Sequence, residues 1–226
     1  GVAAARQLGS KPDVPMVCLA CAHWAKFPDA LTQALGDPEP ETRAVAVRPL
    51  VDSVKYDRDS AGELLEFLES RKNEPDPVRM AFVLSLAELP PSIWKESHLA
   101  GLEQVIRGAL NAKDLSPSTV AYLGSLIVAL VPFHLDWAGK WLATILKERH
   151  YLQLGDQTSR LNDAHVKALS PHFVPVLRTL QKMEKERAIL SLAGTFNRRL
   201  SQFKELEEMV EELVLGVCPV VGGLHS

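Results

Sequence analysis

The chain has 226 residues, with 25 Lys and Arg against 28 Asp and Glu and a formal net charge of -3. That length can bury about 70% of the unfolded surface in one domain, and the charge balance gives no general basic footprint for a nucleic acid. The three cysteines (Cys18, Cys21, Cys218) are too few and too clustered for a disulfide framework, which points to a reducing, intracellular and cytoplasmic setting.

Taken in order, Gly1–Leu8 reads as the tail of an earlier copy of a repeat described below, and Pro15–Lys26 as the first full apolar helix. No signal peptide precedes it, and a chain opening on Gly inside such a stretch is expected to be a segment of a larger protein. Phe27-Pro28-Asp29 turns the chain into a helix over Ala30–Leu35, which Gly36 ends. Glu41–Val54 follows, with Ala44, Val47, Leu50, Val51 and Val54 on one face and Pro49 expected to bend or shorten it. Ala61–Ser70 carries the stripe Leu64, Leu65 and Leu68, and Pro75-Asp76-Pro77 opens a helix that ends at Leu89-Pro90-Pro91.

Ser97–Asn111 comes next, and then Ser116-Pro117 caps a helix that is apolar nearly all round and is expected to be deeply buried. Its run Leu126–Phe133 is far short of the roughly 20 residues that span a bilayer. Asp136–Arg149 is the expected partner helix, and the polar stretch Tyr151–Arg160 the longest loop. Helices over Asp163–Leu169, Pro171–Met183, Lys185–Leu200 and Gln202–Leu215 finish the chain, with Pro171 expected to separate the first two. Residues 216–226 read as an irregular tail.

Two stretches echo each other. Asp37–Leu50 and Asn73–Leu89 both open with prolines and acids, continue into Thr42-Arg43 or Val78-Arg79, and place a leucine seven residues after the Arg. Proline and acids suit the first helical turn, where the proline loses no hydrogen bond and the acid meets the positive helix end. Weaker echoes at Ser116–Leu126 and Arg160–Leu169 extend the pattern, and a period of about 36–44 residues in an all-helical chain predicts stacked helix pairs.

The motif carried by Asp37, Thr42, Arg43, Ala46 and Leu50, then by Asp76, Val78, Arg79, Val83 and Leu86, resembles the HEAT-repeat family in its short bacterial style. The resemblance is good over residues 28–112 and degenerate over 113–215. It implies an all-α fold, an α-solenoid of about five stacked antiparallel helix pairs in a right-handed superhelix, forming a single repeat domain over residues 1–215. A plain helical bundle over 113–215 stays open. It also implies ion pairs between neighbouring repeats from Asp37, Arg43, Asp76 and Arg79, and protein binding on the concave face without chemistry of its own.

Several residue groups could carry more. Cys18, Cys21 and His23 form a C-x-x-C-x-H run, but the second ligand pair a zinc site needs is represented only by the distant Cys218 and His225. Two thiols three residues apart on an apolar helix read as core, so no metal and no cofactor is expected. Trp137 and Trp141 share a helix face beside Asp136 and Lys140. They read as core, as a partner-binding anchor, or as an echo of the tryptophans and Asp of HEAT-like DNA glycosylases. Glu205, Glu207, Glu208, Glu211 and Glu212 line the last helix opposite an apolar face, giving Glu205, Glu208 and Glu212 as partner-binding candidates. Lys185, Arg187, Arg198 and Arg199 read as a small solvated basic patch.

These readings converge on a protein-binding scaffold that is not an enzyme. Its expected partner is a protein held through the concave face or an exposed helix face, rather than a nucleic acid. The alternatives are a HEAT-like nucleic-acid-binding protein or DNA glycosylase and, with no residue to support it, a bilin-binding or lyase-type HEAT protein.

Overall fold

A computed structural model describes the backbone of residues 28–217 and the side chains of 31–215 except 155–156. The expected helix Pro15–Lys26, the Cys18–Cys21 pair, Trp24 and the tail from Cys218 onward lie outside the described residues. Among those described, the chain is all helical, with ten α-helices and no strand. It divides into two compact units between Asp114 and Leu115.

The first unit contains α1 (Pro28–Leu35), α2 (Pro40–Asp52), α3 (Ala61–Ser70), α4 (Asp76–Ala87) and α5 (Leu99–Leu110). Helix α1 lies on α2, α2 packs along α4, and α3 packs along α5. A Cβ added at Gly101 would sit 3.0 Å from the Leu65 Cβ, and one at Gly108 would sit 3.2 Å from the Lys72 Cβ. Both pairs are 36 positions apart, so α3 and the turn after it run along α5 in a constant register and approach closely where glycine replaces a side chain. Val47, Val51, Leu65, Leu86, Leu102 and Ile106 fill the space between these helices.

Pro49 does not break α2, because it occupies the last helical turn. Its missing N–H would have bonded the carbonyl of Val45, a residue on the solvent side where water can serve that oxygen. The chain then tightens into a short 3-10 turn at Ser53–Lys55.

The second unit contains α6 (Pro117–Leu130), α7 (Leu135–Arg149), α8 (Asp163–Lys182), α9 (Glu186–Phe196) and α10 (Lys204–Val217). Ser116 caps α6 by accepting a hydrogen bond from the Thr119 amide at 3.2 Å. From Leu126 to Leu130 every α6 residue is buried. Successive helices pack on one another from α6 to α10, and α10 also returns to α8. Phe173, Phe196 and Phe203 meet at ring-centre distances of 5.8–6.1 Å and join α8, α9 and the start of α10.

Two expectations for this unit are corrected. Asp163–Lys182 is one helix that runs through Pro171 and Pro175. Both prolines are on the exposed face, so the carbonyls they leave unbonded, those of Lys167 and Pro171, face water, while Val166, Leu169, Phe173, Val176, Leu177 and Leu180 keep an unbroken buried stripe. Tyr151–Arg160 is not a free polar loop either. Leu152 and Leu154 are buried, and residues 155–160 form a 3-10 turn packed on α6.

Candidate functional site

Arg43 of α2 and Arg79 of α4 each bind a helix start and a carboxylate further along the chain. Arg43 donates through Nη1 to the carbonyls of Asp37 (2.6 Å) and Pro38 (2.9 Å), and through Nε to Glu74 at 2.8 Å. Arg79 repeats the arrangement, with the Glu74 carbonyl and, at 2.6 Å, the Asp114 carboxylate. Asp76 stands 3.6 Å from Arg79 and its amide donates to Asp114. Arg71 closes the set by joining the Glu74 carboxylate to the Leu35 carbonyl.

Of the four residues singled out in the sequence, Asp37 thus contributes its carbonyl, and its carboxylate accepts from the Glu39 amide instead. Glu74 and Asp114 supply the main carboxylates. They lie 31 and 35 residues beyond their arginines, outside the reach of local spacing rules. The hydrogen bond from Arg79, chief among its causes, holds the Asp114 carboxyl below the usual carboxylate range.

The tryptophans lie mostly inward. Trp141 of α7 is buried, and Trp137 is half-buried beside it at a ring-centre distance of 6.4 Å. The Trp137 indole nitrogen is buried without a hydrogen-bond partner. Asp136 is on the surface, 3.4 Å from the His172 ring of α8. Helix α7 comes so close to α8 here that a Cβ at Gly139 would overlap that ring.

Helix α10 behaves differently. Phe203 and Leu206 are fully buried beneath its first turn, and Glu205 and Glu207 are half-buried. Toward its end Val214 and Leu215 are 57% and 72% exposed, beside exposed Glu208, Glu211 and Glu212. Glu208 reaches Lys204 at 3.7 Å, and Glu212 accepts from Gln181 of α8 at 3.4 Å.

The basic residues do not form one patch. Lys185 and Arg187 stand at the start of α9 and Arg198 and Arg199 beyond its end, with an eleven-residue helix of about 16 Å between them. Among the described residues, no three His, Cys, Asp or Glu side chains are gathered as metal ligands, and no helix is long and apolar enough to cross a membrane.

The comparison with known families corrects the sequence reading. The family model that matches is described as threonine synthase, C-terminal, and it covers residues 1–53. The HEAT resemblance is overturned by that match. A proline- and acid-rich helix start followed by an arginine answers the needs of any tightly stacked helix pair, so the short motif does not single out a family. The expectation that the chain is not an enzyme is overturned too, because the matching family is that of an enzyme. A constellation absent from sequence spacing was weak evidence, since catalytic groups assemble in space. No curated protein and no solved structure matches the chain.

Proposed function

We propose that the chain is a helical module that binds a protein partner, with α10 as its docking element. The exposure of Val214 and Leu215 toward the end of a helix anchored at its start by Phe203 and Leu206 carries this reading. The flanking glutamates define the partner's chemistry, a helix with an apolar stripe bordered by Lys and Arg. Burial of the stripe supplies affinity, and the opposed charges set orientation and association rate. Glu208 and Glu212 are exposed enough to meet such a helix, whereas Glu205 is half-buried. For the first unit, the constant 36-residue offset between α3 and α5 supports a solenoid-like stack of helix pairs.

The test compares the immobilised chain with a Glu208→Lys/Glu212→Lys double variant at moderate salt and with nuclease added. A protein retained by the wild type, lost by the variant, and carrying a basic amphipathic helix is the expected result. Equal retention by both, or retention abolished by nuclease, refutes the docking role of α10.

The match over residues 1–53 supports a second reading, in which that stretch, α1 and α2 included, belongs to a threonine synthase and the remaining helices continue from it. Formation of threonine by the purified chain from the substrates of that enzyme is the result expected. Its absence refutes an activity carried by the chain alone.

A further inference from the structure

The second unit contains a polar cleft of about 590 Å³. It is lined by Thr158 and Ser159 from the 3-10 turn before α8, Thr195 at the end of α9, and Asn197, Arg198 and Arg199 from the turn that follows. The Arg199 backbone leaves the helical region there (φ -124°, ψ 17°). Its guanidinium is pinned in place, Nε on the Asp163 carboxylate at 3.2 Å and Nη1 on the Thr158 carbonyl at 3.3 Å. Arg198 is exposed and enters no ion pair among the described residues.

We infer that this cleft binds a phosphate monoester. Two adjacent guanidiniums offer planar forks that match phosphate oxygens in pairs, and the exposed Asn197 side chain on the same wall carries an amide N–H2 of the type that donates to such an oxyanion. Asp163 is paired with Arg199, and among the described residues Arg198 has no ion-pair partner. Two arginines suit a single phosphate rather than a polyanion backbone, which requires a long row of cations. The space exceeds what a bare phosphate fills and leaves room for the group that bears it, either a small organic molecule or a phosphorylated side chain. The cleft is separate from the α10 face, and its test is independent of that docking role.

The experiment is calorimetric titration of the chain with glycerol 3-phosphate and with a short phosphoserine peptide, its unphosphorylated form serving as control. Saturable binding of a phosphorylated probe is expected, weakened about tenfold or more in Arg198→Ala and partly restored in Arg198→Lys. It should also fall as salt rises, a response that a purely structural change would not produce. Binding of glycerol 3-phosphate identifies the small monoester as sufficient, and binding of the peptide alone identifies a phosphorylated side chain. The inference is overturned if neither probe saturates by about 10 mM, or if Arg198→Ala binds as tightly as the wild type. Arg198 is exposed, so both variants should melt at the wild-type temperature.

Discussion

Replacing Phe203 by alanine tests the anchoring of α10. The ring is fully buried and meets Phe173 at 5.8 Å and Phe196 at 6.0 Å. Truncating a buried Phe to Ala costs about 3–5 kcal/mol, combining lost transfer energy with the cavity left behind. Two tilted or edge-on ring pairs at about 0.5–1.5 kcal/mol each fall within that total. Taking about 4 kcal/mol and a urea slope of about 2 kcal/mol per molar, the unfolding midpoint of the second unit should fall by about 2 M. Phe203→Leu keeps most of the volume and should cost less than half as much. Urea titration followed by circular dichroism reads both, and amide exchange should show α10 losing protection before α6. A shift below about 0.5 M for Phe203→Ala, near 1 kcal/mol on the same slope, would refute the view that the three rings hold α10.

The Arg79–Asp114 contact should carry a pH signature. The Asp114 pKa is depressed in the folded chain, so its stabilisation is present above the ordinary carboxylate value of 3.8 and is lost as pH falls through the lower folded value. The midpoint gap between wild type and Asp114→Asn should therefore be constant at neutral pH and close below about pH 4; a gap independent of pH refutes the pairing. Ser116→Ala removes the cap of α6 and should cost about 1 kcal/mol in urea unfolding, since the Thr119 amide loses its side-chain acceptor. Gly101→Val should cost about 1–3 kcal/mol by overpacking, because even a Cβ there meets Leu65 at 3.0 Å. A Gly101→Val chain as stable as wild type would mean that α3 and α5 are not in close contact.

The helices themselves were legible because their signals are local. Pro40, Asp76-Pro77 and Ser116-Pro117 start helices within a residue or two of the expected positions, and Ala61–Ser70 matches its expected bounds. The 36-residue echo between Arg43 and Arg79 also corresponds to a spatial relation, since both arginines bind helix-start carbonyls in the same way. The family match over residues 1–53 was not legible in the motif, whose proline, acid and arginine serve helix capping wherever helices stack.

What only the tertiary structure decided depends on which face of a helix meets which neighbour. Pro171 and Pro175 interrupt nothing because both point to solvent, a fact their positions in the chain do not contain. Arg43 and Arg79 chose Glu74 and Asp114 because packing brought distant turns to them. Arg198 and Arg199 were separated from Lys185 and Arg187 by the length of α9, and Arg199 was set against Thr158, 41 residues earlier. Backbone preference and capping act within a few residues, so the sequence by itself determined most helix starts, those at Pro40, Asp76 and Pro117 among them. Burial, ion pairing and cleft formation join residues tens of positions apart, and packing alone selects those partners.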